Sequence, residues 1–84
     1  MNYQCPCCGY YTLMEEPNNT FNICPVCYWE DDLSQLLDHT LCGANPVSLE
    51  QARKNYLDFG ACEPNMLPFV RKPYPDEMKE IINQ

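Results

Sequence analysis

The sequence predicts a small α+β domain stabilised by a metal ion, and three observations predict it. Two Cys-x-x-Cys pairs, Cys5-Pro6-Cys7-Cys8-Gly9-Tyr10 and Cys24-Pro25-Val26-Cys27-Tyr28-Trp29, stand fifteen residues apart. A well-capped helical pattern follows them, from Ser48 to about Phe59. Finally, 84 residues make one domain, 1–84, whose hydrophobic core alone would be thin.

The cysteine spacing carries the chemistry. A tight turn with thiolates three positions apart aims both sulfurs at one ion and leaves two tetrahedral positions for a second turn. Four thiolates in a closed tetrahedron suit a structural Zn²⁺, which makes Cys5, Cys8, Cys24 and Cys27 the candidate ligands. Proline pre-sets the backbone at each turn, and Gly9 allows the chain to leave the first knuckle with positive φ. Tyr28 holds the equivalent place in the second knuckle, where a Cβ predicts a different or mildly strained turn. Structural zinc contributes on the order of 10 to 16 kcal/mol, comparable with the whole stability of an ordinary domain. The chain without metal is therefore expected to be largely unfolded around both knuckles.

A disulfide framework is the competing reading of the cysteines. Seven is an odd number, and Met1 is followed by Asn, Tyr and Gln rather than by a basic segment and an apolar run. No apolar stretch approaches membrane-spanning length. The expectation is a cytoplasmic protein in a reducing compartment, with no membrane association.

Charge narrows the partners. Twelve acidic residues against five basic ones give a net charge of −7, and no Lys or Arg precedes Arg53. A phosphate backbone would be repelled, so a nucleic-acid-binding zinc ribbon is disfavoured. An acidic protein is instead steered toward a protein partner with a basic surface.

Along the chain, Tyr10 to Leu13 and Thr20 to Ile23 read as strands, and Glu15 to Asn19 as the turn between them. This predicts a zinc-ribbon/rubredoxin-like double-knuckle β-hairpin, with Tyr11, Leu13, Phe21 and Ile23 as the apolar face under the metal. Leu33, Leu36, Leu37 and Leu41 permit a short helix with Asp31 or Asp32 as N-cap. Ser48-Leu49-Glu50-Gln51 opens the clearer α-helix, with Leu49, Ala52, Arg53, Tyr56 and Phe59 along one stripe and Gly60 as its stop. Pro64, Pro68, Pro73 and Pro75 predict an extended proline-rich tail anchored by Met66, Leu67, Phe69 and Val70. A last short helix is possible over 76–82.

These residues carry a resemblance. Cys-Pro-Cys-Cys-Gly-Tyr, then Ile-Cys-Pro-Val-Cys-Tyr-Trp-Glu-Asp-Asp, then Gly-Ala-Asn-x-Val-Ser-Leu-x-x-Ala-Arg-x-Asn-Tyr and Phe-Gly-Ala, resemble the bacterial cysteine-rich CPCC family over residues 3 to about 72. The resemblance implies a small, intracellular, zinc-ribbon-like protein without a well-defined activity. It supports the same four cysteines as ligands and marks Trp29, Glu30, Asp31 and Asp32 as a signature. The chain departs from the family pattern at Cys42 and in the leucine-rich stretch before it.

Other thiols and the single histidine offer alternatives. Cys7 could replace Cys8 as ligand, though one intervening residue makes it hard for Cys5 and Cys7 to reach one ion. His39-x-x-Cys42, with Cys62 and Glu63, is a weak candidate second metal site. An enzyme is not expected: a redox Cys-x-x-Cys normally opens a helix after a strand, and one histidine cannot supply a Ser/His/Asp set. The expected function is a non-enzymatic structural-zinc protein acting through protein–protein contact, as an immunity-type or adaptor module, with Tyr28, Trp29, Glu30, Asp31 and Asp32 as the contact surface where exposed. The competing reading, favoured for Trp29, puts Trp29 and Tyr28 in the core and the acids at a helix cap. Its rival is rubredoxin-like electron transfer with iron on the same four thiolates.

Overall fold

A computed structural model of the chain describes residues 2–78. Its regular elements are the helices α1 (Leu33–Leu37) and α2 (Leu49–Phe59), then 3₁₀ turns at Pro64–Phe69 and Pro75–Glu77. Among the described residues there is no strand ladder, only two isolated antiparallel bridges, Tyr3 with Leu13 and Ile23 with Glu30.

Those bridges correct the expected hairpin. Residues 10–13 and 20–23 do not pair with each other. Each knuckle instead closes on its own flanks, with Tyr3 and Leu13 exchanging both backbone bonds (2.7 and 3.1 Å) around the first. Around the second, Cys24 N–H donates to Trp29 O at 2.9 Å and Asp31 N–H to Asn22 O at 2.9 Å. The intervening loop, bound to Asp31, does not form the turn such a hairpin would need. The apolar face changes accordingly: Leu13 is buried, whereas Phe21 and Ile23 are exposed.

That loop is organised by a carboxylate. Asp31 Oδ2 accepts from Asn18 N–H (2.9 Å), Thr20 N–H (2.8 Å) and the Thr20 hydroxyl (2.8 Å). The bonds hold the segment while Asn19 and Phe21 take the left-handed conformation, at φ 61° and 59°. Such backbone is uncommon for a bulky side chain and persists where its surroundings over-determine it.

Both helix starts follow their caps. Asp32 accepts from Ser34 N–H through Oδ1 (3.0 Å) at α1, and Ser48 Oγ from Gln51 N–H (3.1 Å) at α2. Gly60 ends α2 at φ 92°, its N–H donating to Tyr56 O at 2.9 Å. Asp32 Oδ2 also accepts from Ala44 N–H at 2.8 Å. A Cβ on Gly43 would come within 2.5 Å of that oxygen, so the turn needs glycine there.

Leucine spacing misplaced the buried face of α1. Leu36 packs against the core, but Leu37 is 77% exposed and Leu41 is also exposed. The side chain that α1 buries completely is Gln35. Its amide donates to Leu41 O (2.8 Å) and Val47 O (2.9 Å), while its Oε1 accepts from Asn45 N–H (3.0 Å) and Nδ2 (2.9 Å). A buried amide with its hydrogen bonds made is tolerated where an unpaired one would be costly.

The tail is tighter than the extended run expected. Pro64–Phe69 turns as 3₁₀ helix; Met66 packs on the core, Val70 is half-buried, and Leu67 and Phe69 stay largely exposed. Arg71 N–H then reaches Pro25 O (3.1 Å), and Tyr11 N–H reaches Glu77 O (2.8 Å). The expected last helix is represented by Pro75–Glu77; positions 79–82 lie outside the described residues.

Candidate metal centre

Each knuckle is built from the same backbone pattern. In the first, Gly9 N–H donates to Cys5 O and Cys5 N–H to Tyr10 O, both at 2.9 Å. In the second, Tyr28 N–H donates to Cys24 O at 2.7 Å, beside the Cys24–Trp29 bond. The exit residue is left-handed in both, Gly9 at φ 84° and Tyr28 at φ 70°, so the strain expected at Tyr28 is present.

These turns bring four sulfurs together. Those of Cys5, Cys8, Cys24 and Cys27 all lie within 4.8 Å of one another, and each cysteine is at most 2% exposed. Cys5 and Cys27 are 3.6 Å apart across the knuckles, Cys8 and Cys24 3.8 Å. A tetrahedron with metal–sulfur bonds of ~2.3 Å has edges of ~3.8 Å, so the cluster fits one tetrahedral ion. The four cysteines are positioned to hold a metal ion.

Hydrogen bonds around Cys24 support the fit. The Thr12 hydroxyl lies 2.9 Å from Cys24 Sγ, and Val26 N–H donates to the same sulfur at 3.4 Å. Donors of this kind orient a ligand and offset its charge. The thiols titrate as a unit. Cys24 is pushed far below the ordinary thiol range, chiefly by the bond from Cys27, with Cys5, Cys8 and Thr12 adding to it. Cys27, Cys8 and Cys5 are pushed up, each chiefly through its bond to Cys24. Protons and a metal compete for these sulfurs, so metal affinity rises with pH.

The cluster sits in the middle of the core. Leu13, Val26, Trp29, Leu49 and Ala52 pack with the cysteines, and Tyr56 meets Tyr10 edge-on with ring centroids 6.2 Å apart. Outside the turns, Pro6 O accepts from Arg53 Nε at 2.8 Å, while Pro25 O takes the Arg71 backbone bond. α2 thus fastens the first knuckle, and the tail the second.

The remaining cysteines and His39 stand apart. Cys7 is buried but does not join the four sulfurs, so the turn presents Cys8 rather than Cys7. Cys62 is buried, and its thiol is pushed up to about 12 by that burial, with Cys7 adding to the effect. Cys42 and His39 are exposed, and among the described residues no second metal-ligating group includes them.

The residues expected on a contact surface are mostly interior. Trp29 is 3% exposed within the core, Asp31 is buried under the loop, and Asp32 is the buried cap of α1. Tyr28 is half-buried, stacked on Phe69 with ring centroids 5.5 Å apart. Glu30 is half-buried, its backbone N–H and C=O both held by the Asn45 side chain, at 2.8 and 2.7 Å. Asp31 and Asp32 are therefore structural, their carboxylates used as cap and backbone acceptors.

Three residues that sequence reasoning passed over matter here. Thr12 bonds a candidate ligand, and Gln35 with Asn45 forms the polar hub behind Glu30. Asn45 was visible only as part of the Gly-Ala-Asn motif, and Thr12 and Gln35 carried no signal at all. Among the described residues, no helix is long and apolar enough to cross a membrane. No curated protein matches the chain. The model of the family described as cysteine-rich CPCC matches residues 3–77, which hold both knuckles, both helices and the fastened tail, and the chain belongs to that family.

Proposed function

We propose that this chain is a non-enzymatic module in which Cys5, Cys8, Cys24 and Cys27 hold one structural Zn²⁺ and the surface so stabilised contacts another protein. The observation that carries the reading is the burial of all four sulfurs at tetrahedral spacing. Ligands buried to this degree fit a structural site better than a catalytic one, which keeps a position open. When bound, the ion supplies cross-linking between the two knuckles and charge neutralisation among the thiolates. Thr12 and the Val26 amide orient Cys24, and Leu49, Ala52 and Trp29 keep water from the sulfurs.

The partner side of the reading rests on charge. A net charge of −7 favours encounter with a basic protein, as an adaptor or an immunity-type module covering it would require. A reducing, cytoplasmic setting belongs to the reading because thiolate ligands must stay reduced. Elemental analysis of protein isolated from its host, with co-purifying proteins recorded, tests it. The expected result is one colourless zinc equivalent that Cys24→Ser loses, together with a basic co-purifying protein. Red iron-loaded protein would favour electron transfer, and full metal occupancy in Cys24→Ser would remove the four-ligand assignment.

A further inference from the structure

Burial of Trp29, Asp31 and Asp32 leaves the contact surface of this reading to be found elsewhere. One region combines apolar side chains in the open with carboxylates around them. A cleft of about 470 Å³ lies between the flanks of the two knuckles. Buried Leu13 and half-buried Pro25 line it, and Met14 and Ile23 stand in it 81% and 47% exposed. Phe21, two residues before Ile23, is also exposed. Single exposed apolar residues are ordinary; a concave group of them is the usual mark of a binding surface.

The charge around the cleft selects the occupant. Glu15 lines it, fixed by accepting from Asn22 Nδ2 at 2.9 Å, and Glu16 follows in sequence. Glu30 is bridged opposite Ile23 as a non-hydrogen-bonded antiparallel pair, which directs both side chains to the same face at close range. No Lys or Arg lines the cleft, and Arg71, whose backbone N–H donates to Pro25 O, has its guanidinium paired with Glu77. A second cleft, beside the first knuckle, contains Arg53 and lacks a carboxylate.

We propose that the cleft of Met14 and Ile23 is the docking site for a basic segment of a partner protein, one that inserts an aliphatic side chain between flanking lysines or arginines. The inference rests on the protein-contact reading above and gives it a place. The surface is pre-organised, because Asp31 fixes the loop that presents Phe21 and Ile23, so less ordering entropy opposes binding. It is also tied to the metal centre, since Thr12 lines the cleft with its hydroxyl against Cys24 Sγ.

The test is an NMR titration of ¹⁵N-labelled, zinc-loaded protein with a synthetic peptide alternating lysine and leucine, beside glutamate–leucine and lysine–serine controls. The expected result is amide shifts confined to 13–16 and 21–23 with the lysine–leucine peptide. Met14→Ser and Ile23→Ser should weaken binding at least fivefold while retaining zinc and a dispersed spectrum. Leu57→Ser, at an exposed position on α2, should leave it unchanged. Equal affinity in both cleft variants, equal binding of the glutamate–leucine peptide, or shifts centred on Arg53 and Leu57 would overturn the site. The last outcome would keep protein contact as a function, whereas no shift with any peptide would remove the basic-partner reading as well.

Discussion

The two knuckles share a backbone and differ in what fastens them. The first is flanked by a main-chain pair, Tyr3 with Leu13, leaves its turn through a glycine, and is held from outside by the Arg53 side chain. The second depends more on side chains: its flank carries the Asp31-bound loop, its exit residue is Tyr28, and Tyr28 stacks on the tail. One turn geometry can therefore be stabilised either by a residue that fits without strain or by a strained residue whose side chain gains a contact.

The largest difference is expected at the loop. Asp31→Ala strands two backbone donors and a hydroxyl that now share one carboxylate, and should cost about 3 kcal/mol in denaturant unfolding of the metal-loaded protein. The amides of Asn18 and Thr20 should lose hydrogen-exchange protection, while the Tyr3–Leu13 pair keeps its own. A loss below about 1 kcal/mol would mean that the second knuckle does not lean on this carboxylate.

The exit residues give smaller and unequal effects. Gly9→Ala places a Cβ at φ 84° and should cost about 1 to 2 kcal/mol. Tyr28→Gly relieves similar strain but removes the Phe69 stack, worth about 1 kcal/mol, so its net effect should be small. Urea midpoints of the two variants decide the matter: a neutral Gly9→Ala would break the proposed asymmetry.

A pH-dependent effect of about 1 kcal/mol concerns the tail that fastens the second knuckle. Arg71 holds Glu77 through two 2.9 Å bonds and lowers its pKa from the ordinary value of 4.5. A carboxylate with a depressed folded pKa adds stability above its unfolded value and loses it as pH falls through the folded one. Wild type should thus exceed Glu77→Gln by about 1 kcal/mol at pH 7, after allowance for solvent screening at the half-exposed Arg71. Below about pH 4.5 the gap should shrink. A gap that does not change with pH would assign Glu77 a packing role only.

Much of this was legible in the sequence, for reasons particular residues make plain. The four cysteines, the Asp32 and Ser48 caps and the Gly60 stop are local signals, each readable within a few positions. Pairing between residues 10–13 and 20–23 was not readable, because strand propensity does not say which partner a segment takes. Leucine spacing in α1 was misleading, since a five-residue helix hides its side chain through hydrogen bonding as readily as through hydropathy. The sequence left Trp29 and its acidic followers open between a contact surface and a core tryptophan beside helix-capping acids; Trp29 is buried, and Asp31 and Asp32 are acceptors for backbone that would otherwise be unpaired.

The Asn45 clasp on Glu30 has a consequence for assembly. By taking both the N–H and the C=O of Glu30, its amide occupies the open rim where a foreign chain would otherwise add itself as another strand. Main-chain augmentation is blocked at that point, on the Glu30 side of the bridge. A chain that binds on the Glu30 side of the bridge must be recognised by its side chains.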